Sequence, residues 1–352
     1  MIGAVQLGLL AACIVLFVPM AMAGWHLSRN KMLFFSCALF ITLAVGVHLF
    51  PLISSLLSPS EVISAPISSY RDSCVFLLHN IMYNDDGKSW DWIKTGRVDE
   101  CGFQKLSKPD ASDLLNGSWV VIAGDSQARL MAVSLLELLM GSESVERIRS
   151  DLFKRHSDYS IVVEEIGLKL DFIWAPFVDN LTESTSLFKK NKNFPDILVM
   201  GAGLWDMLHV NNASDYGSSL RELRDDIFAL LPVSSNSGRA GEGLMSEEET
   251  KSARLLHLFW VGMPTLITSM LNTDAKRERM TALMCDLYED ELRKSRVLRS
   301  SGGPVLNLDI RLLSSLCGAR CTSDGMHYDG VVYDAAVQIM MNALLIESDQ
   351  KL

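Results

Sequence analysis

The longest apolar runs of the chain come first and differ from everything after them. Residues 4–24 and 32–58 contain no Asp, Glu, Lys or Arg, and each is long enough to cross a bilayer, which takes about 20 helical residues. A cleaved signal peptide is a weaker interpretation of the first run, because no basic segment precedes it. The loop between the runs is basic, and no Lys or Arg follows until Arg71. The positive-inside rule therefore predicts a membrane hairpin, residues 1–59, with both chain ends lumenal.

Apolar and polar positions change their pattern after residue 60. Residues 60–117 are rich in Ser, Asp and Gly with little periodicity, which predicts an introductory segment of turns. Strands are predicted at 118–123, 169–175, 196–202, 255–261 and 304–308. Helices are predicted at 127–141, 218–231, 274–296 and 330–346. Apolar strands that alternate with helices predict an α/β domain over residues 118–352, with a parallel sheet in three α/β/α layers.

Charge and glycosylation sequons indicate the setting of this domain. The formal net charge is −10, and no basic stripe interrupts it, which argues against a nucleic-acid partner. Sequons for N-glycosylation fit a lumenal location. They begin at Asn116, Asn180 and Asn212.

The cysteines beyond the hairpin predict disulfides, since an oxidising compartment would let some of them pair. They are Cys74, Cys101, Cys285, Cys317 and Cys321. Cys74 with Cys101 is a plausible link, and one thiol must remain free because the number is odd. No matching His or Cys cluster accompanies the Cys-Gly-Ala-Arg-Cys run, so the sequence indicates neither a metal nor a bound organic cofactor.

The first predicted strand ends in the tripeptide Gly124, Asp125 and Ser126, immediately before a predicted helix. Ligands of α/β sheets lie beyond the carboxyl ends of the strands, and N–H groups at a helix start can stabilise an oxyanion. Ser126 is therefore a candidate nucleophile, although such a serine taken alone is more often a turn or N-cap residue. Arg129, one turn later, either binds an anionic donor or, as we favour, is a solvated helix residue.

A serine nucleophile requires a base, and the domain contains several histidines. They are His79, His156, His209, His257 and His327. His327 alone lies between the last strand and the last helix, so its position in the sheet corresponds to that of Ser126. Asp324 can accept a hydrogen bond from its second ring nitrogen and fix the tautomer, with Asp329 as the second choice. The joint placement favours a catalytic Ser-His-Asp set.

These two blocks, Gly-Asp-Ser near the domain start and Asp-Gly-Met-His near its end, resemble the SGNH/GDSL hydrolase superfamily. The membrane-tethered placement resembles its PC-esterase branch, which contains the trichome-birefringence-like polysaccharide O-acetyltransferases. The resemblance implies an SGNH-like three-layer fold with Ser126, His327 and Asp324 as catalytic residues.

One block departs from the superfamily pattern. SGNH enzymes carry a Gly-x-Asn block whose Asn serves the oxyanion hole, whereas residues 201–206 read GAGLWD, with Trp205 in its place. The N–H groups of Ser126 and Gly203 would then serve as oxyanion donors. The superfamily's second-block glycine has no clear match, with Gly167 as a candidate. Asp206 and Trp205 are expected to shape the acyl or sugar pocket, with core packing an equal alternative for Trp205. Other aromatic residues near strand ends suit sugar stacking or, as we favour, the core: Trp174, Phe177 and Trp260.

The resemblance implies O-acetylation of a hemicellulose, such as xyloglucan or xylan, through an acetyl-serine intermediate. It implies a Golgi membrane protein with a lumenal catalytic domain and an acetyl donor whose identity the sequence leaves open. It also implies partners, namely an acetyl-donor transporter and polymer-specific acetyltransferases that would use an acetylated intermediate. Two alternatives remain: a carbohydrate acetyl esterase, in which water replaces the sugar, and a non-catalytic scaffold for the acetylation machinery.

Overall fold

The structure, a computed structural model, describes residues 73–231 and 256–348. Residues from Cys74 onward belong to one compact unit. The predicted membrane helices at 4–24 and 32–58 lie outside the described residues. Within the described part, the helix Gly330–Ser348 is long and apolar enough to cross a membrane, but two-thirds of its most apolar stretch is buried in the protein.

A six-stranded sheet forms the centre of this unit, and a separate two-stranded hairpin precedes it. The strands of the described residues are β1 (Ile81–Tyr83), β2 (Trp90–Trp92), β3 (Trp119–Gly124), β4 (Tyr159–Val163), β5 (Leu168–Trp174), β6 (Ile197–Gly201), β7 (His257–Val261) and β8 (Leu306–Leu308). The central order is β4-β5-β3-β6-β7-β8, parallel except for edge strand β4. Its parallel strands follow the doubly wound order 2-1-3-4-5, which puts the topological switch point between β3 and β6.

Helices cover both faces of the sheet. They are α1 (Gly96–Cys101), α2 (Lys108–Leu114), α3 (Ser126–Met140), α4 (Ser142–Leu152), α5 (Val178–Asn191), α6 (Leu204–His209), α7 (Ala213–Leu230), α8 (Asp274–Arg279), α9 (Ala282–Ser295), α10 (Ile310–Cys317) and α11 (Gly330–Ser348). Successive strand side chains point to opposite faces. Val120 and Ile122 of β3 accordingly join the core of α3 and α11, whereas Val121 and Ala123 join that of α5 and α7. The predicted α/β fold with a mostly parallel, doubly covered sheet is confirmed.

Several elements differ from the predicted ones. The predicted helix 274–296 is two helices, because Thr281 accepts a hydrogen bond from the Met284 N–H and thereby caps a new helix, α9. Strand β4 escaped prediction because it is a half-exposed edge strand with a weak apolar pattern. The helices that periodicity did not predict are α1, α2, α4, α5, α6 and α10.

The segment before β3 is more regular than its sequence predicted, since it contains β1, β2, α1 and α2. Its side chains and backbone bind α11. The Trp90 indole donates to Asp334 at 2.7 Å, and the buried Gln338 amide exchanges two hydrogen bonds with the Leu106 backbone, at 2.7 and 3.0 Å. The first strands and helices of the unit therefore fix the position of its last helix.

Disulfides join Cys74 to Cys101 and Cys317 to Cys321, and Cys285 is the free, buried thiol among the described cysteines. The predicted pairing of Cys74 with Cys101 is present. This bond closes a loop with a sequence separation of 27, so it restricts the unfolded chain in the segment that holds α11.

We expect the double variant Cys74→Ala, Cys101→Ala to lose about 3 kcal/mol of unfolding free energy, because the unfolded loop regains its freedom. Urea unfolding of the purified protein measures this loss. Cys285→Ala is the matched control, since it removes a buried sulfur without opening a loop. A double variant no less stable than this control would contradict the role given to the disulfide.

Candidate active site

The turn from β3 into α3 presents Ser126. Asp125 is the N-cap of α3, and its carboxylate accepts a hydrogen bond from the Gln127 N–H at 2.9 Å, a role in which Asp is strongly preferred. Asp125 is buried, and burial raises its pKa to about 6 although the Gln127 hydrogen bond opposes the shift. The helix therefore begins at Ser126, half-buried at the carboxyl end of β3, beside the switch point.

Gly124 permits this turn because two backbones approach closely there. A Cβ at this position would lie 2.3 Å from the Gly201 carbonyl oxygen and 2.7 Å from the Ala128 Cβ. No real side chain tolerates the first distance, so any other residue would push β3 away from β6 and shift Ser126.

The loop before α11 presents His327. Asp324 organises it: one carboxylate oxygen accepts hydrogen bonds from the backbone N–H groups of Met326 and His327, at 2.9 and 2.7 Å. The Thr322 hydroxyl donates to the His327 carbonyl at 2.7 Å and accepts from the Gly325 N–H at 3.0 Å. The short sequence from Thr322 to His327 thus folds on itself and fixes the imidazole.

The structure brings the three predicted catalytic residues together. The second Asp324 oxygen lies 2.7 Å from His327 Nδ1, and His327 Nε2 lies 2.8 Å from Ser126 Oγ. With the proton on Nδ1 facing the carboxylate, Nε2 is free to accept the serine proton. Asp329, the second choice, is exposed at the start of α11 and does not bond to this ring.

The electrostatics of Asp324 suit an orienting carboxylate. Partial burial works to raise its pKa, but hydrogen bonds from the His327 backbone and ring and from the Met326 N–H outweigh it and lower the pKa below its usual value. Asp324 therefore stays ionised at neutral pH and can stabilise an imidazolium on His327.

Gln127 links the serine turn to the histidine loop, a connection that sequence analysis missed. Its buried amide donates to the Met326 carbonyl at 3.2 Å, and the Tyr333 hydroxyl of α11 donates to its side-chain oxygen. Gln127 is adjacent to Ser126 and Met326 is adjacent to His327, so one side chain fixes the spacing between the serine hydroxyl and the imidazole.

Two backbone N–H groups are available as oxyanion donors. Those of Ser126 and Gly203 have no hydrogen-bond acceptor among the described residues, as expected at helix starts. The Gly203 φ is +136°, and a Cβ there would lie 2.7 Å from Met263 Sδ, so the position requires glycine. Gly167 lies at the amino end of β5, the opposite sheet edge from Ser126, so the suggestion that it corresponds to an oxyanion glycine is wrong.

A cleft of about 260 Å³ opens beside the Ser126 hydroxyl. Besides Ser126 and His327, it is lined by aromatic residues Trp174, Trp205 and His156, apolar residues Leu204, Leu208, Met280 and Met326, and cationic residues Arg155 and Lys276. The Trp174 and Trp205 rings meet edge to face at 5.6 Å, and His156 stacks on Trp174 at 5.1 Å. Trp205, in the place of the expected Asn, is therefore part of the cleft wall.

Other predicted pocket residues lie outside this lining. Arg129 is buried rather than solvated, which corrects the favoured expectation: its guanidinium packs 4.9 Å from the rings of both Phe172 and Trp174, and burial lowers its pKa. Trp260 is fully buried core, as favoured. Phe177 packs edge to face on Trp205 at 5.9 Å.

Asp206 is also buried and outside the cleft lining. Burial raises its pKa to about 7, and the charge of Asp179 adds to the shift. Its Oδ2 has no hydrogen-bond partner among the described residues. This carboxyl group therefore costs stability when ionised.

The remaining histidines are engaged elsewhere or lie on the wall. His79 accepts a hydrogen bond from the Asp309 N–H at 3.1 Å, and His257 contacts Glu347 at 2.5 Å. Burial lowers the pKa of His79 despite the opposing charge of Asp309. Sequence could indicate His156 only as a histidine near an unrecognised strand, because its stacking on Trp174 is a tertiary contact.

The three sequon asparagines occupy different surroundings. Asn116 is exposed. Asn212 is exposed and caps α7 by accepting a hydrogen bond from the Ser214 N–H, and Asn180 is half-buried within α5. Their glycosylation stays a prediction.

Comparison with known proteins identifies the family. No family model matches the sequence. The chain is 52% identical over 377 aligned positions to "Protein ALTERED XYLOGLUCAN 9" of Arabidopsis thaliana, with 100% of both chains covered. The chain belongs to the ALTERED XYLOGLUCAN 9 family. The fold and the Ser126–His327–Asp324 geometry described above are thus those of a member of this family.

Solved structures similar to this family member include an alpha/beta hydrolase and an acetylxylan esterase. They include LAE5, an alpha/beta hydrolase from the metagenome of Lake Arreo in Spain, at 19% identity, with 65% of this chain and 94% of that chain covered and a TM-score of 0.35. A catalytic mutant of Axe2, an acetylxylan esterase from Geobacillus stearothermophilus, matches at 11% identity, with 68% and 96% covered and a TM-score of 0.36. TM-scores this low do not establish a common fold, so the strand order of the chain itself defines its architecture.

We expect Gln127→Ala to slow covalent labelling of Ser126 by a fluorophosphonate roughly tenfold to a hundredfold, because the spacing between Ser126 and His327 loosens. Labelling is followed by intact mass in folded protein. Thr185→Ala is the control, a buried polar residue of α5 whose hydroxyl donates to the Thr182 carbonyl at 2.9 Å, away from Ser126 and His327. Equal slowing in both variants would show that Gln127 contributes only stability.

The raised pKa of Asp206 predicts that the free energy of unfolding of this family member depends on pH. Its native pKa of about 7 exceeds the unfolded value of about 4, so the native state binds more protons and loses stability as pH rises between these values. Asp206→Asn removes that loss. We expect its stability relative to wild type to be about 3 kcal/mol higher at pH 8 than at pH 4, by urea unfolding.

The control for this measurement is Asp113→Asn, a substitution at an exposed residue. Its free energy of unfolding should differ from that of wild type by nearly the same amount at pH 4 and pH 8. A difference between Asp206→Asn and wild type that is the same at pH 4 and pH 8 would contradict the raised pKa.

Proposed function

We propose that this chain is an O-acetyltransferase that acts in hemicellulose acetylation through an acetyl-Ser126 intermediate. The observation that carries the proposal is the hydrogen-bonded series from Asp324 through His327 to Ser126, which opens into an aromatic cleft. Family membership supports the acceptor class, since the Arabidopsis relative is named for altered xyloglucan.

The first half of the reaction acylates the serine. Ser126 Oγ attacks the acetyl carbonyl carbon while its proton moves to His327 Nε2, and Asp324 stabilises the imidazolium. The N–H groups of Ser126 and Gly203 are placed to stabilise the developing oxyanion, and one such donor is worth about 3–4 kcal/mol of barrier. The donor's leaving group departs with the proton from His327, which leaves acetyl-Ser126.

The second half transfers the acetyl group. A sugar hydroxyl gives its proton to His327 Nε2 and attacks the acetyl carbonyl, and the oxyanion donors act again. The bond between the acetyl carbon and Ser126 Oγ breaks, and Oγ recovers the proton from His327. The products are the acetylated sugar and the free serine.

Water attacking the same intermediate would make the chain an acetyl esterase instead. Trp174 and Trp205 favour transfer, because their rings form a cleft wall next to Ser126 on which a sugar ring can stack and displace water. A non-catalytic scaffold would not require the bonds among Ser126, His327 and Asp324, so we rank it last.

The proposal includes a setting for this reaction. The predicted membrane hairpin, the sequons and the disulfides support a secretory-pathway protein, which we place in the Golgi membrane with a lumenal catalytic domain. An acetyl-donor transporter and polymer-specific acetyltransferases are the proposed partners, the latter if the first acetylated product is an intermediate.

We expect an acetyl adduct on Ser126 when the purified full-length protein meets an activated acetyl ester, since the intermediate is covalent. Intact mass and peptide mapping measure it. Ser126→Ala and His327→Ala should lose the adduct. Ser142→Ala should keep it, as a matched serine that also opens a helix, α4, away from the cleft.

An adduct that survives Ser126→Ala would overturn the mechanism. If the adduct forms, xyloglucan oligosaccharides are added to the acetyl-enzyme to distinguish transferase activity from esterase activity. Acetylated oligosaccharide identifies the transferase, and acetate released at an unchanged rate identifies the esterase.

A further inference from the structure

Two cationic side chains face the cleft beside the serine and histidine. Arg155 lies in the turn between α4 and β4, and Lys276 lies in α8, which is distant in sequence. Both line the cleft together with Ser126 and His327. The whole chain carries a net charge of −10, so two cations in one small cleft run against its overall charge.

Neither cation is neutralised by another residue in the described part of the chain. No side-chain hydrogen bond or ion pair joins Arg155 or Lys276 to any other described residue, and no carboxylate lines the cleft. Neighbouring cationic side chains, in contrast, have partners. Arg277 pairs with Asp274 at 2.5 Å, and Arg279 donates to the Leu208 carbonyl at 2.7 Å. The cleft therefore has unpaired positive charge where a substrate must enter.

We propose that Arg155 and Lys276 bind an anionic acetyl donor, an acetyl thioester on a phosphate-bearing carrier. The proposal rests on the acyl-transfer function proposed above and names the donor class. A neutral hemicellulose can accept hydrogen bonds from these groups but has no charge for them to attract, whereas phosphate oxygens form stronger, charge-assisted hydrogen bonds with guanidinium and ammonium groups. The acetyl carbon would then lie at Ser126 with the carrier's phosphate at the cationic wall.

The chemical step balances with such a donor. The bond from Ser126 Oγ to the acetyl carbon forms and the bond from that carbon to sulfur breaks. The serine proton passes to His327 Nε2 and then to the departing thiolate, so acetyl-Ser126 and a free carrier thiol result. Arg155 and Lys276 take no part in bond making; they are binding residues.

Two donors test the charge directly. Acetyl-CoA is the phosphate-bearing probe and p-nitrophenyl acetate is the uncharged one, each given to the full-length protein while acetyl-enzyme is measured by intact mass. In Arg155→Gln with Lys276→Gln, we expect the acetyl-CoA concentration for half-maximal acylation to rise by at least tenfold more than that of p-nitrophenyl acetate. Added salt should raise the acetyl-CoA concentration for half-maximal acylation of the wild-type protein, because salt screens charges at a surface cleft.

Matched variants guard the interpretation. Lys276→Arg keeps the charge and should retain most of the acetyl-CoA response, whereas Arg277→Gln and Lys154→Gln remove neighbouring charges outside the cleft and should behave as wild type. Thermal unfolding of each variant confirms that it is folded. Equal losses for both donors, or no loss for either, would overturn the proposal.

Two further outcomes would also overturn it. Acylation by p-nitrophenyl acetate but never by acetyl-CoA leaves the acyl-transfer function standing and removes the donor proposal, whereas acylation by neither removes both. If the double variant slows transfer to a uronic-acid-bearing xylan oligosaccharide but not to a neutral one, while acetyl-CoA acylation is unchanged, the cations serve an anionic acceptor instead.

Discussion

The hydrogen bond between Ser126 Oγ and His327 Nε2 joins residues 201 positions apart at a distance of 2.8 Å. This distance depends on the packing of the rest of the described fold. Ser126 opens α3 and His327 lies three residues before the start of α11, so the bond depends on how these two helices pack on one face of the sheet. Hydrogen bonds weaken steeply with distance and angle, and misplacement by about 1 Å can cost a reaction a hundredfold.

Buried polar contacts, more than apolar packing alone, define where α11 lies. The segment before β3 contacts α11 through Trp90 and Leu106. On α11, Tyr333 donates a hydrogen bond to Gln127 of α3. Apolar contacts tolerate sliding, whereas a buried amide that loses its partner costs about 1–3 kcal/mol. The introductory segment thus helps to position α11 and, through it, His327.

Much of the site could be predicted from the sequence because its chemistry is local. The strand end and the glycine that the tripeptide at 124–126 predicts are both present, whereas the N-cap is Asp125 and not Ser126, because the Asp125 carboxylate accepts a hydrogen bond from the Gln127 N–H. Asp324 lies three residues before His327, so a single loop fixes their contact. Local periodicity could not predict the edge strand β4 or the break in the helix at 274–296, because burial and capping decide them.

The sequence by itself determined the outline of the strand–helix alternation and the candidate residues Ser126, His327 and Asp324, because each follows from neighbours within a few residues. The tertiary structure alone decided which side chains from far along the chain lie beside Ser126. Arg155, Trp174 and Lys276 come from three separate segments and converge on one cleft, while Arg129 is buried against Phe172 and Trp174. Such contacts depend on the strand order and helix packing of the whole sheet, which no local pattern of residues encodes.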